Sequence, residues 1–166
     1  MRMTAAKARI VPSKMRITAL LPALLLIAML TSLNAQTGSI LGEWEDPTGS
    51  TLRIDRCGQE VCIWIAGISR NAPALTDIHN PDAGLRQRPL CGLKIGTGFE
   101  TDHGDRASGG TLYDPKSGKT YHGEMKVEGQ QLRLRGYVGF SWFGRTEIWE
   151  RPAKPVTACQ ASLGKF

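Results

Sequence analysis

The residues best suited to chemistry in this 166-residue chain fall between positions 69 and 92. Asp77 and Asn80 precede Pro81, and Arg86 and Arg88 follow shortly after. Asp and Asn ahead of proline suit an Asx-turn, where the side-chain oxygen accepts from the backbone two residues on. Two guanidinium groups on one extended loop can fork onto a carboxylate or a phosphate. The same residues also have a plainer use, a self-satisfied Ω-loop in which Asp77 accepts from Arg86 or Arg88. A second set is apolar. Phe140, Trp142 and Phe143 crowd the turn between Gly139 and Gly144, and such side chains can line a concave binding mouth or dock a partner.

Other motifs carry less. Gly118-Lys119-Thr120 has the ending of a phosphate-binding loop, but Tyr113 stands where its first glycine belongs. The segment also joins two strands and opens no helix. Gly96-Thr97-Gly98 fails as a dinucleotide fingerprint because position 101 is Thr. His79, His103 and His122 are scattered, and Asp102, His103 and Asp105 match no calcium-loop pattern, so no metal site is expected. There is no Gly-x-Ser-x-Gly elbow, no activated cysteine and no cofactor motif. These residues favour a binding protein over an enzyme, and no cofactor is assigned.

The elements that must position these residues read as short strands. In Thr120 to Glu128, polar Thr120, His122, Glu124, Lys126 and Glu128 alternate with Tyr121, Gly123, Met125 and Val127. Successive strand side chains point to opposite faces, so one face is wet and the other apolar. Leu132 and Leu134 oppose Arg133 and Arg135 in the same way, and Leu52 and Ile54 oppose Arg53 and Asp55. Val61 to Ile68 is apolar on both faces and reads as a fully covered strand. Turn signals at Pro47-Thr48-Gly49, Cys57-Gly58-Gln59, Asp114 to Gly118 and Glu128-Gly129-Gln130 separate the runs. About seven or eight strands at hairpin spacing predict an all-β closed barrel or sandwich. All 19 glycines lie after residue 36, as tight bends in a small barrel require. Ser69 to Gly92, with Pro73, Pro81 and Pro89, is the one long irregular stretch.

The first 35 residues read as an address. Lys14 and Arg16 precede an uncharged run from Ala19 to Leu30, closed by the small residues Thr31, Ser32 and Ala35. A basic flank, an apolar run of that length and a small exit residue describe a signal peptide, with Met15 an alternative start. A membrane anchor needs about 20 apolar residues, more than this run supplies. Five of the 21 basic residues precede residue 36 and all 15 acidic ones follow it, so 16 face 15 in the remainder and its net charge is +1. That balance excludes a nucleic-acid footprint. Periplasm or extracellular space is the expected location, with no transmembrane span after processing.

Export makes Cys57, Cys62, Cys91 and Cys159 disulfide candidates, with three possible pairings. Cys57 and Cys62 flank a plausible hairpin connection, and directly opposed antiparallel residues are close enough for a bridge. Cys91 with Cys159 would then tie down the tail, residues 152–166.

Four stretches in order resemble the DUF2147 family of small exported bacterial proteins. They are Gly42-Glu43-Trp44; Asp77 to Pro81 continuing through Leu85 to Gly92; Gly109 to Pro115 with Gly118 to Tyr121; and Arg135-Gly136-Tyr137 leading to Gly144-Arg145-Thr146 and Trp149-Glu150-Arg151. Ala107, where an aromatic is usual, and Ile63 after Cys62, where glycine is common, depart from the pattern. The resemblance implies a lipocalin-like antiparallel barrel of about eight strands over residues 36–151, preceded by the signal-peptide helix. It supplies no activity. Gly42-x-Trp44 is similar to the Gly-x-Trp opening lipocalin barrels, where the indole closes one end under a basic side chain. Arg145 or Arg151 would be that partner, and Trp149 would also be structural. The expectation is an exported barrel binding a small-molecule or lipid-like amphipathic ligand. The alternatives are a protein-interaction module with a filled barrel and an enzyme using the 77–92 loop. No protein partner is identified.

Overall fold

The computed structural model describes residues 38–101, 103–153 and Cys159. The expected leader with its helix, the alternative start at Met15, Asp102 and most of the tail from 152 to 166 lie outside the described residues.

Eight strands form one closed antiparallel barrel, each paired with its chain neighbours. They are β1 (Gly42–Glu45), β2 (Thr51–Cys57), β3 (Glu60–Gly67), β4 (Lys94–Thr101), β5 (Arg106–Asp114), β6 (Lys119–Glu128), β7 (Gln131–Tyr137) and β8 (Arg145–Glu150). The circle closes where Glu45 pairs with Glu150, which removes the exposed sheet edges an open meander would leave. Among the described residues, no helix is long and apolar enough to cross a membrane.

The period-two patterns translate directly. Gly123, Met125 and Val127 of β6 are buried, as are Leu132 and Leu134 of β7 and Leu52 and Ile54 of β2. On β3, Val61, Ile63 and Ile65 enter the core. Its outer face is covered without a second sheet. Cys62 bridges to Cys57, and Trp64 lies under Arg53 and Lys94. The Cys159 amide donates to the Ala66 carbonyl at 2.7 Å.

The barrel's two ends differ. At one end the β2–β3, β4–β5 and β6–β7 hairpins gather around a packed floor of Ile40, Trp44, Ile63, Phe99, Met125 and Leu132. Phe99 crosses the interior because its neighbours have no side chains. A Cβ at Gly110 would run into its ring, and one at Gly123 would lie 2.7 Å from its Cζ. At the other end the β1–β2, β3–β4, β5–β6 and β7–β8 connections surround an opening.

Cys57–Cys62 bridges the β2–β3 hairpin, as its spacing suggested, with α-carbons 5.8 Å apart, and the remaining pair Cys91–Cys159 joins with α-carbons 5.6 Å apart.

Candidate functional site

The long β3–β4 connection is held by its own polar residues. Asp77 is fully buried. Its Oδ1 accepts from the Tyr113 hydroxyl at 2.6 Å, and its Oδ2 accepts from Asn80 Nδ2 at 2.7 Å and Arg88 Nε at 2.8 Å. Arg88 Nη2 adds a 2.7 Å ion pair on the same oxygen. Asn80 Oδ1 accepts from the Asp82 amide, which starts a 3-10 turn at Ala83–Leu85, while Arg86 Nε donates to the Asn80 carbonyl. Arg88 also lies over the Tyr113 ring, 5.5 Å from its centroid.

The electrostatics follow from this wiring. Burial alone would drive the Asp77 carboxyl up. The hydrogen bonds from Tyr113, Asn80 and Arg88, with the Arg88 charge, outweigh it and hold the group below the usual carboxylate value. Burial, followed by the bond to Asp77, pushes the Tyr113 phenol up. The network thus fastens the loop to β5. The β5–β6 turn packs closely against the same loop. Gly118 has a φ of +67°, and a Cβ there would collide with the His79 carbonyl, so only glycine suits the position.

Above the packed floor the described side chains leave the barrel unfilled. A cavity of about 610 Å³ opens between the four connections, within the range of small-molecule sites. Its apolar wall includes Leu52, Ile65, Ile95, Leu112, Leu134 and Trp149. Tyr121 adds a half-buried phenol. Gly136 also lines the space, and a Cβ there would meet nothing nearer than 3.6 Å.

Charged groups stand toward the mouth. Arg145 and Glu147 line the cavity, spaced two apart on β8 and in phase with Trp149. Glu147 Oε2 accepts from the Trp149 indole at 3.1 Å. Lys116 approaches Asp46 at 3.7 Å, whose Oδ1 is occupied by Thr48 and Ser50. Among the described residues, neither Arg145 nor Glu147 has an ion-pair partner.

The residues singled out from sequence therefore separate. Asp77, Asn80, Arg86 and Arg88 come together but line no part of the cavity. Phe143 lines its rim, whereas Phe140 and Trp142 stand outside it, stacked on each other with centroids 4.9 Å apart. At the closed end Arg151, not Arg145, covers Trp44, its guanidinium carbon 3.7 Å from the ring centroid. Arg151 also donates to the carbonyls of Ser39, Leu41 and Glu43, and the Trp44 indole donates to the Ile40 carbonyl at 2.7 Å. Glu147, Lys116, Tyr121 and His79, all cavity-lining, were not anticipated. The alternation of Arg145, Glu147 and Trp149 was the signal that could have found Glu147. Among the described residues, no three His, Cys, Asp or Glu side chains gather as a metal site.

With this geometry in place, the comparisons are specific. The family described as "Uncharacterized protein conserved in bacteria (DUF2147)" matches residues 42–151, from the start of β1 to Arg151. The chain belongs to the DUF2147 family. A solved structure of similar fold is described as "Protein HP1028 from the human pathogen Helicobacter pylori belongs to the lipocalin family". The two share 19% identity at a TM-score of 0.63, covering 69% of this chain and 84% of that one. At that identity the likeness concerns the barrel alone, and it agrees with the lipocalin-like architecture of this DUF2147 chain. Nothing among curated proteins matches.

Proposed function

We propose that this DUF2147 chain is an exported ligand-binding barrel whose ligand has an apolar body and a small polar or charged head. The carrying observation is the upper half of the barrel left open by the described side chains, apolar in depth and edged by Arg145 and Glu147, neither of which has an ion-pair partner among the described residues. An apolar wall rewards burial in proportion to area, and a few charged groups at the mouth orient the occupant. Location outside the reducing cytoplasm is supported by the two disulfides among the described residues and by the leader-like start of the sequence. A module with a filled barrel fits poorly with a cavity of this size. Enzymatic use of the 77–92 loop fits poorly with Asp77, both of whose oxygens are occupied.

The test combines mass with uptake. Native and denaturing intact masses of protein isolated from an oxidising fraction should differ by a retained small molecule. Emptied protein should take up a fluorescent fatty acid saturably. Gly136→Leu, which fills the cavity, should weaken uptake at least tenfold while leaving the near-ultraviolet circular dichroism intact. A bare native mass together with no saturable uptake would remove the reading.

A further inference from the structure

The β7–β8 connection is an apolar projection beside the mouth. Val138 is 70% exposed, Phe140 64%, Trp142 70% and Phe143 79%, a degree of exposure that soluble surfaces rarely give to clustered aromatics. The residues are held in shape. Ser141–Phe143 form a 3-10 turn in which the Phe143 and Gly144 amides donate to the Phe140 and Ser141 carbonyls. Arg135 Nε donates to the Ser141 carbonyl at 2.7 Å from the base. The aromatic tip is therefore displayed by a wired loop whose own bonds satisfy part of its backbone, which lowers the cost of entering a medium without water.

Charge and position say what that medium is. From Gly136 to Gly144 the loop carries no charged side chain, and Arg135 and Arg145 flank it. No acidic residue occurs between Glu128 and Glu147, and around the rest of the opening Asp46, Asp114 and Glu147 stand against Lys116 and Arg145. Arg135 is engaged at the base of the loop, by Glu124 at 3.8 Å and by Ser141 and Thr146, so Arg145 is the flank left to reach a phosphate. An uncharged aromatic tip beside that arginine matches a bilayer interface, where indole rings settle at headgroup depth and arginines meet anionic lipid phosphates. The tip is also continuous with the cavity: Val138 and Phe143 belong to both the exposed set and the lining, as does Ile78 on the loop opposite.

We propose that this end of the barrel docks on an anionic lipid bilayer through Phe140, Trp142 and Phe143, with Arg145 at the phosphate level, so that the mouth faces the membrane. An apolar occupant could then pass between bilayer and barrel without crossing water. The docking does not depend on which ligand the cavity takes.

The experiment uses vesicles of phosphatidylcholine with and without phosphatidylglycerol. The disulfide-bonded chain, freed of its leader, should co-float with the anionic vesicles, with a blue shift in tryptophan emission. Phe140→Ser with Trp142→Ser, two residues outside the cavity, should lower that partitioning at least tenfold. It should leave circular dichroism and fluorescent fatty-acid uptake unchanged. Arg145→Glu should weaken partitioning onto anionic vesicles several-fold and leave partitioning onto neutral ones unaltered. Failure to co-float with anionic vesicles overturns the proposal, whether or not the fatty acid binds. Equal flotation of wild type and the double variant overturns it as well. Self-association abolished by the double variant, without flotation, would assign the patch to a second copy of the chain instead.

Discussion

Asp77 gathers three side-chain hydrogen bonds and an ion pair on one carboxylate. Its carboxylate is fully buried and joins two stretches far apart in sequence, through Arg88 and Tyr113. Removing one member of a fully buried pair costs roughly 3–5 kcal/mol; Arg88 is 32% exposed and stays partly hydrated, so Asp77→Ala should lower the free energy of unfolding by about 2 kcal/mol in urea titrations. Tyr113→Phe should cost about 2 kcal/mol, the value of a hydrogen bond to a charged group. The pH dependence has a definite sign. The folded state holds this carboxyl below its unfolded value, so its contribution is complete above the unfolded pKa and drains away as pH falls through the folded one. Asp77→Asn should therefore flatten the acid limb of a stability–pH curve and leave the slope above neutrality unchanged. The four loop residues were legible from their types. Their role as a fastening was legible only as one of two options, because their partner Tyr113 comes from another part of the chain.

Among the elements, the strands were the most readable and the connections the least. The alternation in β6 and β7 sets inward and outward faces without any tertiary information, and the Cys57–Cys62 hairpin follows from spacing. The choice between Arg145 and Arg151 over Trp44 did not. The two residues sit at opposite ends of β8, and only the direction in which that strand runs decides between them. The floor that Arg151 covers should be expensive to disturb. Trp44→Ala removes a buried indole, its bond to the Ile40 carbonyl and the surface on which Arg151 stacks, and should cost about 4 kcal/mol by thermal or urea unfolding. The two bridges should differ in worth. Cys57–Cys62 spans a sequence separation of 5 and Cys91–Cys159 one of 68. In the chain-entropy account, replacing the first pair by serines costs roughly 2 kcal/mol and the second roughly 4 kcal/mol. Differential unfolding of the two double-serine variants measures the order directly.

At the scale of the whole molecule, the barrel is solid below and hollow above, a division that alternation cannot reveal. An inward position reads as apolar whether it meets another side chain or an empty space. Two glycines on inner faces separate the cases. Gly110→Ala drives a methyl group into the Phe99 ring and should cost about 2 kcal/mol as overpacking. Gly136→Ala finds room and should change stability by less than about 0.5 kcal/mol, or raise it slightly by restricting the unfolded chain. Equal effects at the two sites would mean that both halves are packed alike.

The close approach of Gly118 to the His79 carbonyl has a consequence for change over time. With the Asp77 network it sets two of the mouth's connections against each other through backbone and buried groups, not through the side chains that face the opening. Lys116 and Pro73 can be exchanged without loosening the frame that carries them, since foldability is invested in the floor and in these anchors. A lineage built on this barrel is free to revise its taste at such positions while inheriting its architecture.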